Sequence, residues 1–109
     1  MNNKILSSGV ILSGGLPFWG FWEEIKIGRF KAYIEYFYSS VEAPNMREVL
    51  VDVYHGRRGR RPVRTLRAGE VQSWPVKIRA RVGRRALQRL DVKDALLRHV
   101  LERVQEHNR

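Results

Sequence analysis

The sequence predicts a single α+β domain: an antiparallel β-sheet of about five strands, arranged in hairpins or a meander, with a C-terminal α-helix packed on one face. Three observations point there. Apolar residues alternate with a period of two through Phe21–Tyr38, Arg47–Tyr54 and Val76–Val82, the pattern of half-buried strands. From Val92 onward the period becomes helical. The length, 109 residues, suits one domain spanning 1–109. A run of strands followed by a helix is the order expected of an α+β architecture.

In chain order, Ser7–Leu12 reads as a short strand and Ser13-Gly14-Gly15-Leu16-Pro17 as a loop. Alternation then runs through Ile25 and Ile27, slips by one at Gly28-Arg29, and resumes through Phe30, Ala32, Ile34, Tyr36 and Tyr38. A two-residue hairpin loop with Gly at its first position accounts for the slip. Ile27 then faces Phe30, Ile25 faces Ala32 and Phe21 faces Tyr36. Two pairs fit badly: Glu23 falls on the apolar face opposite Ile34, and Lys26 opposes Lys31, a like-charge pair. Glu23-Glu24 reads as a solvated strand end. A helix is the competing assignment, since Phe30, Tyr33, Ile34, Phe37 and Val41 fit a helical stripe, but Gly28 and the β-branched and aromatic content favour strands.

Pro44-Asn45 marks a turn, and Arg47–Tyr54 a strand with Val49, Val51 and Val53 on one face. An arginine-rich loop occupies 56–62. Val63–Arg67 reads as a short strand, Ala68-Gly69-Glu70 as a turn, and Pro75 opens a strand that turns Val76, Ile78, Ala80 and Val82 inward until Gly83 ends it. Arg84–Leu90 is a first turn or a separate short helix. The final helix covers 91–107, with Asp91 as N-cap and an apolar stripe of Val92, Leu96, Val100, Leu101 and Val104. Asp94–Arg98 and Arg98–Glu102 are favourable i,i+4 pairs.

Composition narrows the function classes. With 43% hydrophobic and 29% charged residues the chain is globular rather than disordered. It has no cysteine, which excludes disulfides and cysteine-based zinc sites and is compatible with a reducing, cytoplasmic setting. Ile5 to Trp22 carries no charge, but Gly9, Gly14, Gly15, Pro17 and Gly20 interrupt it, which argues against membrane insertion. No signal-peptide pattern is expected from so weakly basic a start.

The net charge of +10 is unevenly spread. Residues 1–56 hold five basic and six acidic side chains, a balance of −1, whereas residues 57–109 hold sixteen and five, a balance of +11. Arginine supplies most of it, and its fork grips phosphate oxygens two at a time where a lysine ammonium cannot. Two clusters stand out. Arg57, Arg58, Arg60, Arg61, Arg64 and Arg67 follow one another without an intervening acid. Lys77, Arg79 and Arg81 alternate with apolar residues and so share an outer face, about 6.6 Å apart; Arg84, Arg85 and Arg89 continue the run. As expected contacts to a phosphate backbone we take Arg57, Arg58, Arg60, Arg61, Arg64, Lys77, Arg79, Arg81, Arg84 and Arg85. Each cluster also reads as an ordinary solvated surface.

The C-terminal helix is a poor groove reader, because its basic residues are offset by acids. Trp19, Trp22, Tyr33, Phe37 and Trp74 are candidates to stack on bases, but they read more readily as core and lie mostly outside the basic half. His55, beside the arginine loop, is the one candidate for proton transfer; His99 and His107 lie two turns apart on the helix. No phosphate-binding glycine loop, nucleophile arrangement, metal-ligand cluster or cofactor motif is present. The expected partner is therefore nucleic acid, DNA or RNA, gripped by its backbone with low sequence specificity. A protein that docks on an acidic protein surface or nucleoprotein, of the kind phages and mobile elements encode to inhibit a host factor, is the alternative. A small ribonuclease toxin using His55 is a second, and self-association is also open.

Overall fold

The computed structural model describes residues 3–11, 18–39, 46–56, 59–72 and 76–107. Six strands form one sheet: β1 (Asn3–Ile11), β2 (Phe18–Ile27), β3 (Phe30–Ser39), β4 (Met46–His55), β5 (Arg64–Gln72) and β6 (Val76–Val82). Two helices follow, α1 (Arg84–Gln88) and α2 (Leu90–His107). The α+β class and the C-terminal helix agree with the sequence reading. The plain meander does not. The sheet order is β1-β2-β3-β6-β4-β5, so β6 inserts between β3 and β4 and runs parallel to β4. Its alternating side chains explain the central place. Ile78, Ala80 and Val82 bury on one face, while long Lys77, Arg79 and Arg81 leave by the other.

The β2–β3 hairpin has the register the alternation predicts: Ile27 pairs with Phe30, Ile25 with Ala32, Glu23 with Ile34 and Phe21 with Tyr36. Gly28, at φ 60, supplies the left-handed residue that the two-residue loop needs. The first strand begins at Asn3 rather than Ser7. Ala68-Gly69-Glu70 is not a turn. β5 continues through it as a bulge, where Val49 pairs with Gly69 and Leu50 with Arg67. Gly69 takes φ 147, and a Cβ there would come within 2.9 Å of Leu101 on the helix. Gly69→Ala is expected to cost about 1–3 kcal/mol through this strain, read as a lower urea midpoint. The turns assigned to residues 13–17 and 44–45 lie outside the described residues.

The core is the space between one sheet face and α2. Ile25, Ile34, Tyr36, Val49, Val51, Val53 and Ile78 line it from the sheet, and Val92, Leu96, Val100 and Val104 from the helix. The helix begins at Leu90, so Asp91 sits in its first turn; there it accepts from the Val92 backbone N–H and holds Arg89 at 2.9 Å. Among the described residues Arg98 makes no ion pair, contrary to the i,i+4 expectation, whereas Arg103 pairs with Glu106.

Glu23 corrects the sequence reading most sharply. It is no solvated strand end but fully buried under α2. His99 Nε2 lies 2.7 Å from its Oε2, the Tyr36 hydroxyl donates to the same oxygen at 2.7 Å, and Arg103 Nε stands 3.1 Å from Oε1 without hydrogen-bond alignment. Burial pushes the Glu23 carboxyl up, but the hydrogen bonds from His99 and Tyr36 and the charges of His99 and Arg103 outweigh it and hold the carboxyl below its usual value. His107, tilted on Phe21 at 4.3 Å, is also pushed below its usual range, by burial and by Arg103. Both groups bind protons more readily unfolded than folded. Stability is therefore expected to fall as the pH is lowered, slightly from about 6.5, because His107 is largely exposed, and more strongly below about 4.5 as the unfolded Glu23 protonates. Urea titrations from pH 7.5 to 3.5 check this; a midpoint that does not fall would contradict it.

Candidate nucleic-acid interface

Strand direction decides which basic residues meet. β4 ends at His55 and β6 at Val82, and these two residues pair, so loop 56–63 and the segment Gly83–Arg85 leave the sheet at one end. β5 starts there too, with Arg64 paired to Val53. The Arg81 guanidinium reaches back to the loop, donating to the carbonyls of Gly56 at 3.0 Å and Gly59 at 3.2 Å while lying over the Tyr54 ring. It thus fixes the loop that presents Arg60 and Arg61. Both of those, with Arg64, Arg84 and Arg85, are exposed, and among the described residues none of them has an ion-pair partner. Between loop and α1 lies a cleft of about 420 Å³ lined by His55, Val63, Arg64, Arg84, Leu87 and Gln88. The His55 Nδ1 atom is buried beside it without a hydrogen-bond partner.

The same end gathers a second set, which the sequence reading passed over. β1 starts, β2 ends and β3 starts here, and the register aligns Lys4 with Lys26 and Lys26 with Lys31. The like-charge pair noticed in the sequence is thus two-thirds of a row of three exposed lysines on adjacent strands. Facing residues on neighbouring strands stand about 5 Å apart, where like charges repel, and among the described residues none of the three has an acidic partner within ion-pair distance. The signal lay in the sequence as the Lys26–Lys31 misfit; the position of Lys4 needed the β1–β2 register.

The remaining predicted residues divide. Lys77 is exposed on the outer face but pairs with Phe37, far from the basic end. Arg79 is half-buried over the Phe37 ring, flanked in register by Glu35 and Asp52, with its Nε buried and unpartnered. The basic strand is therefore no continuous phosphate rail. Arg67 pairs with Glu48. Arg57 and Arg58, like Trp74, lie outside the described residues.

The aromatics are also redistributed. Trp19 stacks on Tyr38 at the opposite end of the sheet. Trp22, Tyr33 and Phe37 lie on the face away from α2, and Tyr33 and Phe37 are register partners of Arg81 and Lys77. Their separation from the basic half in sequence does not persist in the fold, because β3 and β6 are neighbours. Among the described residues no cluster of His, Cys, Asp and Glu suits a metal ion, and no helix is long and apolar enough to cross a membrane. In comparisons with protein families, with curated proteins and with solved structures, the chain matched none.

Proposed function

We propose that the protein binds nucleic acid through its phosphate backbone, with low sequence specificity, at the basic end of the sheet. One observation carries the reading: Arg60, Arg61, Arg64, Arg84 and Arg85 from the C-terminal half and Lys4, Lys26 and Lys31 from the other half are exposed at one end of the sheet, the lysines on its open face and Arg64 on the helix side, and none of them is ion-paired among the described residues. Such a gathering is destabilising by itself and becomes favourable when an anion lies across it. Backbone contacts position a strand without reading its sequence, which fits a surface of forks and ammonium groups.

The cleft at His55 supports binding more than cutting. Phosphodiester cleavage by proton transfer needs an acid and a base, and among the described residues that line the cleft His55 is the one titratable group besides the arginines. Anisotropy titrations at ~0.1 M salt with single- and double-stranded DNA and RNA test the reading. Binding that weakens steeply with salt is the expected result; binding to none of the four would overturn it.

A further inference from the structure

We infer that the open face of the sheet takes single-stranded nucleic acid, its phosphates over the lysine row and a base stacked on Tyr33. The inference rests on the basic end being a phosphate site and adds which form of nucleic acid it prefers. α2 covers one face of the sheet, and no described element covers the other. Arg79 covers Phe37 there, and Arg81 covers Tyr54. Trp22 and Tyr33 are left as half-exposed rings in contact, with centroids 5.8 Å apart and planes 29° from parallel. The Trp22 indole lies flat on β1, since a Cβ at Gly9 would come within 2.6 Å of its Nε1.

Beside Tyr33 runs a groove of about 480 Å³, also lined by Glu24, Lys31, Gly56, Arg81 and Gly83. That is the size of a small-ligand site. Its chemistry is divided. Lys31 stands one same-face step, about 6.6 Å, from Tyr33 along β3, and continues into Lys26 and Lys4. Glu24 faces Tyr33 across the β2–β3 pair. The carboxylate repels phosphate and accepts from a base amino group or sugar hydroxyl. The nucleotide therefore lies with its phosphate toward Lys31 and its base toward Tyr33 and Glu24. A ring floor of this kind offers its stacking energy to unpaired bases only, because duplex bases already stack on each other.

The test compares a labelled ten-nucleotide single strand with its duplex by anisotropy at one salt concentration. Wild-type protein is expected to bind the single strand more tightly, with quenching of tryptophan fluorescence. Tyr33→Ala is expected to weaken single-strand binding about tenfold, with duplex affinity and salt slope unchanged, and Tyr33→Phe to restore it. Equal wild-type affinity for both forms, or unaltered single-strand affinity in folded Tyr33→Ala, overturns the inference. The backbone reading would still stand if removing the basic-end arginines abolished binding. Should Tyr33→Ala not fold, the wild-type comparison and the quench decide. Binding of poly-glutamate but of no oligonucleotide would overturn both readings.

Discussion

Replacing Arg60, Arg61, Arg64 and Arg84 together by alanine is expected to make the dependence of log affinity on log salt shallower by up to about 3 for single strands, since each lost phosphate contact removes roughly 0.7 from the slope. All four side chains are exposed and have no ion-pair partner among the described residues, so their loss should not cost folding stability. The weakening should be uniform across sequences, as expected of contacts to phosphate. Arg98→Ala is the control, because that side chain is exposed on α2 and has no ion-pair partner among the described residues. Retention of the wild-type slope by the quadruple variant would remove loop and α1 from the interface. A shallower slope for some sequences only would contradict backbone binding.

The second large effect concerns stability. Glu23→Ala is expected to cost about 3–5 kcal/mol, the range for breaking a buried ion pair by removing one partner. His99 and Arg103 would lose their anion, and Tyr36, whose hydroxyl burial and Glu23 push far above the usual range, would lose its acceptor. A solvated strand-end glutamate would instead change stability by no more than about 0.5 kcal/mol, so urea unfolding separates the two descriptions cleanly. Glu23→Gln keeps an acceptor for Tyr36 and should cost less. Adding His99→Leu and Arg103→Met to Glu23→Ala should recover part of the loss, because no cation is then left unpaired.

Much of the sheet was legible because period-two alternation is a strong signal where one face is buried. The β2–β3 register follows from Gly28 and the phase slip alone. The Glu23 misfit was visible in the same pattern, but its partners His99 and Arg103 come from a helix near the other end of the chain, and no local pattern links them. The same limit applied to the interface. Sequence order placed all excess charge after residue 56 and set the aromatics apart from it. Insertion of β6 beside β3 brings Tyr33 against Arg81, and the β1–β2 register brings Lys4 into line with Lys26. Arg79, read as an outward cation, is half-buried because Glu35, Phe37 and Asp52 surround it, and those neighbours also come from other strands. Gly69 was read as a turn because glycine marks both turns and bulges.

The central position of β6 also bears on how the sheet is completed. β1, β2 and β3 can form as one unit from neighbouring segments, and β4 with β5 as another. Their only link within the sheet is β6, which pairs Ala32 with Val82 on one side and Val51 with Ile78 on the other. Until it arrives, two adhesive borders, β3 and β4, stand unfilled, each carrying buried-type residues such as Ile34, Tyr36, Val51 and Val53. Long-range pairings of this kind form more slowly than local hairpins, and a chain whose β3 and β4 borders are unpaired is open to pairing with other chains. The positive side chains on β6 are thus carried in by the strand that completes the sheet, so Arg79 reaches the Phe37 ring and Arg81 the Tyr54 ring only when that strand is in place.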